Sequence, residues 1–184
     1  MKSFFLFIWE VSKIIIIAVL IVVPIRYFLF QPFIVRGDSM EPNFNNGDYL
    51  IIDEISYRFR QPQRGEVVVF KYPQVPSQRY IKRIIGLPGE TIEIKGGQVF
   101  ISKEGQIQIL DESSYFPEPL ITPGNTSVAL EQNQYFVLGD NRSFSSDSRH
   151  WGTLPENYII GRAFFRAWPP QAFAKIATPV YQTP

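Results

Sequence analysis

No cysteine occurs in the 184 residues, which removes disulfides, thiolate metal ligands and cysteine nucleophiles together. Histidine is almost as scarce. His150 is the only one, so a site with several histidine ligands cannot be assembled and a Ser-His-Asp triad would have to use that residue. No metal or cofactor is expected. Charge of one sign is also missing: 18 Lys and Arg against 17 Asp and Glu give a net charge of +1, so there is no strongly basic face and nucleic acid is not an expected partner. Internal repeats and low-complexity tracts are absent. What is abundant is aromatic and rigid. With 16 Phe, 9 Tyr and 15 Pro, the composition favours short strands and stiff loops over helical bundles. The length suits one domain, or one domain with a small satellite.

The N-terminus carries the one long apolar run. From Ile14 to Ile25 no charge or side-chain polar group appears, and beyond Arg26 the run continues to Phe30. As helix, the 17 residues from Ile14 to Phe30 span roughly 25 Å, near the lower limit for a bilayer core. A cleaved signal peptide would end in a small-x-small site, and none follows Ile25. A buried core helix would show a polar stripe, and Ile14-Ile15-Ile16-Ile17 is apolar all round. The reading is an uncleaved transmembrane anchor within residues 1–30. Lys2, Lys13 and Arg26 flank it on both sides and leave its orientation open.

Past Phe30 the chain reads as β. Short apolar runs at Phe33–Val35, Tyr49–Ile52, Val67–Phe70 and Arg79–Ile85 are separated by Asn-Gly-Asp, Arg-Gly and Gly-Leu-Pro-Gly turns. Thr91–Ile94 and Val99–Ile101 flank a Lys-Gly-Gly-Gln hairpin turn, and Gln106–Leu110, Ser127–Leu130, Tyr135–Leu138 and Ile159–Arg166 complete the set, alternating as half-exposed antiparallel strands do. A mainly β, antiparallel catalytic domain is expected over 31–170. Residues 96–134 read as a β excursion or subdomain, with a proline-bearing lid near 113–125. Residues 171–184 read as an extended, loosely ordered tail.

Two stretches carry chemistry. Gly37 permits a tight bend in Val35-Arg36-Gly37-Asp38-Ser39-Met40-Glu41-Pro42, and Pro42 stiffens its exit, so the Ser39 hydroxyl is presented on a rigid turn. Taken alone, such a turn reads as an ordinary linker rather than a site. The second is Tyr80-Ile81-Lys82-Arg83-Ile84-Ile85, where period-two alternation places Lys82 with Tyr80 and Ile84 on one face and Arg83 on the other. A lysine among bulky apolar neighbours is a candidate base, while the other lysines read as surface solubilisers.

Ser39-Met40-x-Pro42, Gly47-Asp48, Arg64-Gly65-Glu66-Val67-Val68-Val69-Phe70, Tyr80 to Glu90 and Gly139-Asp140-Asn141-Arg142-x-x-Ser145-x-Asp147-Ser148-Arg149-x-Trp151-Gly152 together resemble the ordered boxes of type I signal peptidases. The resemblance runs from the anchor to about Trp168. It implies a membrane-bound serine endopeptidase that removes signal peptides from exported preproteins, on a β fold shared with self-cleaving repressors. It also implies a single-pass protein of the plasma or inner membrane, with the catalytic body on the extracytoplasmic face. Ser39 would be the nucleophile, Lys82 the general base and Ser145 the hydroxyl that orients the lysine. Asp147 and Arg149 would brace the site, and Phe33, Val35, Met40 and Ile81 would line pockets admitting an Ala-x-Ala pattern.

The resemblance leaves marks of its own. The oxyanion hole should include the Ser39 N–H, but Gly37 stands where one branch of the family has a serine, so a second donor is unassigned. Asn43 and Phe44 replace the usual threonine and leucine, and Asp38 has no role. Bringing a lysine from about 10.4 to about 7 costs roughly 4.6 kcal/mol, which desolvation supplies only if the ammonium is nearly fully buried. No carboxylate should therefore contact Lys82. Self-cleaving repressor and mutagenesis-protein peptidases share the Gly-Asp-Ser-Met turn and a downstream lysine, but not the anchor or the Gly-Asp-Asn-Arg loop. A non-catalytic membrane-tethered β module is the reading from a different class.

Overall fold

The computed structural model describes residues 2–28, 30–116, 119–179 and 181, with side chains described at 4, 6–20 and within the described segments from 31 onward. One helix precedes the sheets. It runs as α1 over Lys2–Phe28, longer toward the N-terminus than the apolar run, with Lys13 and Glu10 paired across one turn at 2.7 Å. Among the described residues no helix is long and apolar enough to cross a membrane. The apolar stretch with described side chains, Ile14 to Leu20, is shorter than a bilayer core, and the rest of the expected span, residues 21–30, lies outside the residues with described side chains.

The larger sheet is built from β1 (Phe30–Ile34), β2 (Tyr49–Asp53), β3 (Val67–Tyr72), β4 (Val75–Gly86), β9 (Gln134–Leu138), β10 (Leu154–Pro155), β11 (Ile159–Trp168) and β12 (Ala174–Lys175). Its order is β1-β2-β11-β3-β4-β9-β10, with β12 on β11. Every pairing is antiparallel. A second sheet, ordered β7-β6-β5-β8, holds β5 (Thr91–Lys95), β6 (Gln98–Lys103), β7 (Gln106–Ile109) and β8 (Thr126–Ala129). Between β2 and β3 lies a short 3-10 turn at Ser56–Arg58.

The Val-Val-Val-Phe run of β3 shows no polar alternation because both of its faces are covered. Val67 and Val69 pack with Met40, Phe44 and Ile81 in one core cluster, while Val68 and Phe70 pack with Ile84, Tyr135 and Leu154 in another. The β4 strand emerges from the exposed hairpin after Tyr72 and becomes buried from Ile81 onward. Its pairing with β9 begins only at Arg83↔Leu138, whereas β3 pairs with it from Val75 to Arg83. Among the described residues, the backbone edge of β4 ahead of Arg83 that faces away from β3 therefore has no strand partner.

The tail departs from the loose end expected. Lys175 and Ala174 pair with Phe165 and Arg166, and the Tyr181 hydroxyl donates to the Tyr115 hydroxyl at 2.9 Å. Prolines exclude this segment from a central strand but not from an edge, and here the edge of β11 and a half-buried tyrosine pin it.

Candidate active site

The turn that carries Ser39 follows β1 directly. Gly37 has φ +80°, a left-handed conformation that an L side chain would strain, and its N–H donates to Asn46 Oδ1 at 3.1 Å. The turn is held from the other side as well. Asn141 donates its N–H to the Ser39 carbonyl and its side-chain amide to the Asp38 carbonyl, both at 3.1 Å. Asp38 thus serves through its backbone. Met40, the next residue, is fully buried, so one side chain anchors the bend while its neighbour stays accessible.

Across from the turn, β4 delivers Lys82. Its Nζ lies 2.7 Å from Ser39 Oγ and 2.9 Å from the Ile81 carbonyl. The first distance serves either direction of proton sharing: a charged amine donates to the hydroxyl, and a neutral one accepts from it. Lys82 is 4% exposed, and the face of the Tyr80 ring lies 5.5 Å from its Nζ, as the period-two alternation requires. Burial pushes its pKa down to about 8, against the opposing pull of Asp147 and Asp140. That is a smaller fall than the value near 7 expected from sequence.

The two carboxylates explain the shortfall and its limit. Neither makes an ion pair with Lys82; each is taken by an arginine. Arg149 holds Asp147 through two contacts of 2.8 Å, and the Gly139 N–H adds a third at 3.0 Å. Burial raises the Asp147 carboxyl, but these donors outweigh it and the net shift is downward. Arg83 holds Asp140 at 2.8 and 2.6 Å, with Asn43 Nδ2 on the same carboxylate at 2.9 Å. The partner guanidinium of each acid offsets part of that acid's field at Lys82.

Arg83 and Asp140 were not singled out from sequence as part of the site, although a signal was present. A cation alternating onto the buried side of a central strand demands a buried anion, and the Gly139-Asp140-Asn141-Arg142 box supplies it. Arg142 is itself buried, donates to the Gly139 carbonyl at 3.1 Å and contacts Glu112 and Thr122. The segment 139–151 thus contains the braces of the site and ends in a short helix, α2 (Ser148–Trp151), capped by Asp147.

Ser145 is buried and close enough to Asp147 to lower that carboxyl, but among the described residues its Oγ has no partner in good hydrogen-bond geometry. It is not bonded to Lys82. It packs where Gly139 leaves room: a Cβ on Gly139 would overlap Ser145 and the Ser39 carbonyl. The alternative hydroxyls of the loop fall elsewhere, with Ser148 Oγ accepting from the Val137 N–H at 3.0 Å and Ser143 and Ser146 exposed. His150 is exposed.

A cleft of about 420 Å³ opens beside Ser39 and Lys82, lined by Phe33, Ile34 and Arg36 on one side and Arg79, Tyr80 and Ile81 on the other. Of the expected pocket residues, Phe33 and Ile81 reach it. Val35 and Met40 do not line it: they are 1% and 0% exposed and belong to the core beneath. Phe44 lies in that core too, under the Arg166 guanidinium. Among the described residues no cluster of side chains could hold a metal ion.

Residues 8–168 match the sequence profile described as "Signal peptidase, peptidase S26". The chain belongs to the signal peptidase family. Members similar to it include probable signal peptidase I-2 of Synechocystis, 39% identical over 165 residues that cover 87% of this chain and 73% of the relative. Probable signal peptidase I-1 of the same organism is 35% identical, covering 94% and 88%. Thylakoidal processing peptidase 1 of Arabidopsis thaliana is 34% identical over 94% of this chain and 51% of its own length. A crystal structure of a signal peptidase I from Enterococcus faecalis aligns with a TM-score of 0.46 at 29% identity, covering 56% of this chain and 97% of that one. Family membership makes the chain a serine peptidase and a hydrolase, and sets aside both the self-cleaving repressor and the non-catalytic module.

Proposed function

We propose that Ser39 and Lys82 form a nucleophile and general base pair in a membrane-bound endopeptidase that removes N-terminal signal peptides from exported preproteins. The observation that carries this reading is the 2.7 Å approach of Lys82 Nζ to Ser39 Oγ, with the amine buried, its pKa brought down to about 8 and no carboxylate in contact. Neutral Lys82 takes the hydroxyl proton as Ser39 attacks the scissile carbonyl. It then gives that proton to the departing amine, and afterwards activates the water that hydrolyses the acyl-enzyme. The Ser39 N–H is the first oxyanion donor in this scheme.

Ser145 is assigned to orient Lys82. Its buried Oγ has an unused hydrogen-bonding capacity beside the Ser39 carbonyl, and rotation of that hydroxyl supplies the lysine's remaining partner. Asp147 and Arg149 brace the loop that carries it. Phe33 and Ile81 form the walls that restrict the cleft to small side chains in an Ala-x-Ala-like pattern, and Val35 and Met40 support them from below. The apolar run Ile14–Phe30 anchors the chain by a single pass in the plasma or inner membrane, with the body on the extracytoplasmic face.

Incubating the detergent-solubilised full chain with an exported preprotein tests the chemistry. Cleavage is expected from the wild type and is lost in Ser39→Ala and in Lys82→Met, the latter keeping the side-chain volume. An intact preprotein with folded wild-type enzyme refutes the assignment.

A further inference from the structure

We propose that Arg36 and Arg79 make the mouth of the cleft a selective seat for an acidic side chain of the substrate, placed just ahead of the scissile bond. The inference rests on the peptidase reading above and sharpens its substrate class. Arg36, Arg79 and Lys82 are all cations of the cleft lining, and no carboxylate lines it. Arg36 is exposed and makes no ion pair among the described residues. Arg79 is also exposed and, among the described residues, hydrogen-bonds to Gln31 alone, at 3.4 Å. Glu54, whose acid is raised by burial, feels Arg79 electrostatically but makes no ion pair with it.

Strand geometry gives the position. Arg79 stands three residues before Lys82 on β4, about 10 Å along the strand at roughly 3.3 Å per residue, and Arg36 lies between the end of β1 and the Ser39 turn, in the lining of the same cleft. The edge of β4 ahead of Arg83 lacks a strand partner, and β1 pairs only with β2. An extended peptide laid between these edges alternates its side chains. Those of the two alanines in Ala-x-Ala turn to Phe33 and Ile81, and those of x and of the residue before the first alanine turn the other way. Arg36 follows Ile34 on that outward face, since Val35 between them is buried. An anionic side chain at either outward position meets unpaired guanidinium, and a lysine there meets like charge.

Three synthetic peptides that differ only in Glu, Gln or Lys at the two outward positions, cleaved by the full chain in neutral detergent, provide the test. Glu is expected to exceed Lys by about tenfold in kcat/KM at low salt, since one exposed ion pair is worth up to about fivefold and the like-charge penalty adds to it. The ratio shrinks toward unity as salt rises. In the Arg36→Glu/Arg79→Glu double variant the ratio reverses to favour Lys, and in Arg36→Gln it narrows. Equal cleavage of all three peptides by the wild type overturns this proposal and leaves the Ser39–Lys82 reading standing. Cleavage of none overturns both. A Glu preference that appears only when anionic phospholipid vesicles are added assigns the arginines to the lipid surface and overturns the proposal.

Discussion

At the scale of single residues, the site depends on keeping one amine neutral in a place where two carboxylates are needed for structure. Burial lowers Lys82, Asp147 and Asp140 act to raise it, and Arg149 and Arg83 mute both acids. In the proposed mechanism the neutral form is the active one, so kcat/KM should rise about tenfold per pH unit below about 8 and level off above it. A pH-rate profile on a peptide substrate checks this, and a limb that still climbs steeply at pH 9.5 contradicts it. The same group affects stability. Its folded pKa lies below the ordinary 10.5, so the unfolded chain binds more protons between about 8 and 10.5. Stability therefore climbs with pH across that window and carries the full cost of the buried ammonium below it.

At the scale of elements, the segment after β9 acts as a cassette. Gly139 begins it, Asp147 ties its far end back to the Gly139 N–H, and Arg149 closes it onto the Arg142 carbonyl at 2.7 Å and the Pro123 carbonyl at 3.1 Å. The first residue cannot carry a side chain without displacing Ser145 and the turn that holds Ser39. Gly139→Ala is therefore expected to lower kcat at least about a hundredfold, as displacements near 1 Å do at a reacting pair. Overpacking should cost only about 1–3 kcal/mol of stability. Single-turnover cleavage with circular dichroism as a folding control measures both, and an unchanged kcat would contradict the close packing seen here.

At the scale of the whole molecule, the reacting turn lies directly after β1, which in turn follows α1. If the Ile14–Phe30 run is an anchor, this order holds Ser39 close to the bilayer where signal peptides emerge. Sodium carbonate extraction of cells expressing the full chain is expected to leave it in the membrane pellet. Release into the supernatant would contradict the anchor. The tail contributes at this scale too. By pairing with β11 and reaching Tyr115, whose ring stacks on the Arg83 guanidinium at 4.1 Å, it closes over the side of the molecule behind the reacting pair.

Much of this was legible in the chain. The longer strands of both sheets follow from short apolar runs and glycine turns, while β10 and β12 do not, and Lys82 stood out as a cation in an apolar strand because the side-chain period of a strand is two residues whatever the surroundings. The absence of cysteine and the single histidine narrowed the chemistry, and the ordered boxes named the family. Sequence reasoning stopped at long-range pairing. Nothing local tells that Asn43 shares the Asp140 carboxylate with Arg83, that Val35 and Met40 lie under the cleft rather than in it, or that the tail is pinned. Those outcomes depend on which segments pack together, because the pairing of buried charges and the burial of an apolar side chain are properties of the assembled core. Local periodicity therefore determined what Lys82 is next to along its strand, and only the tertiary structure decided that Ser39 lies within hydrogen-bonding reach of it.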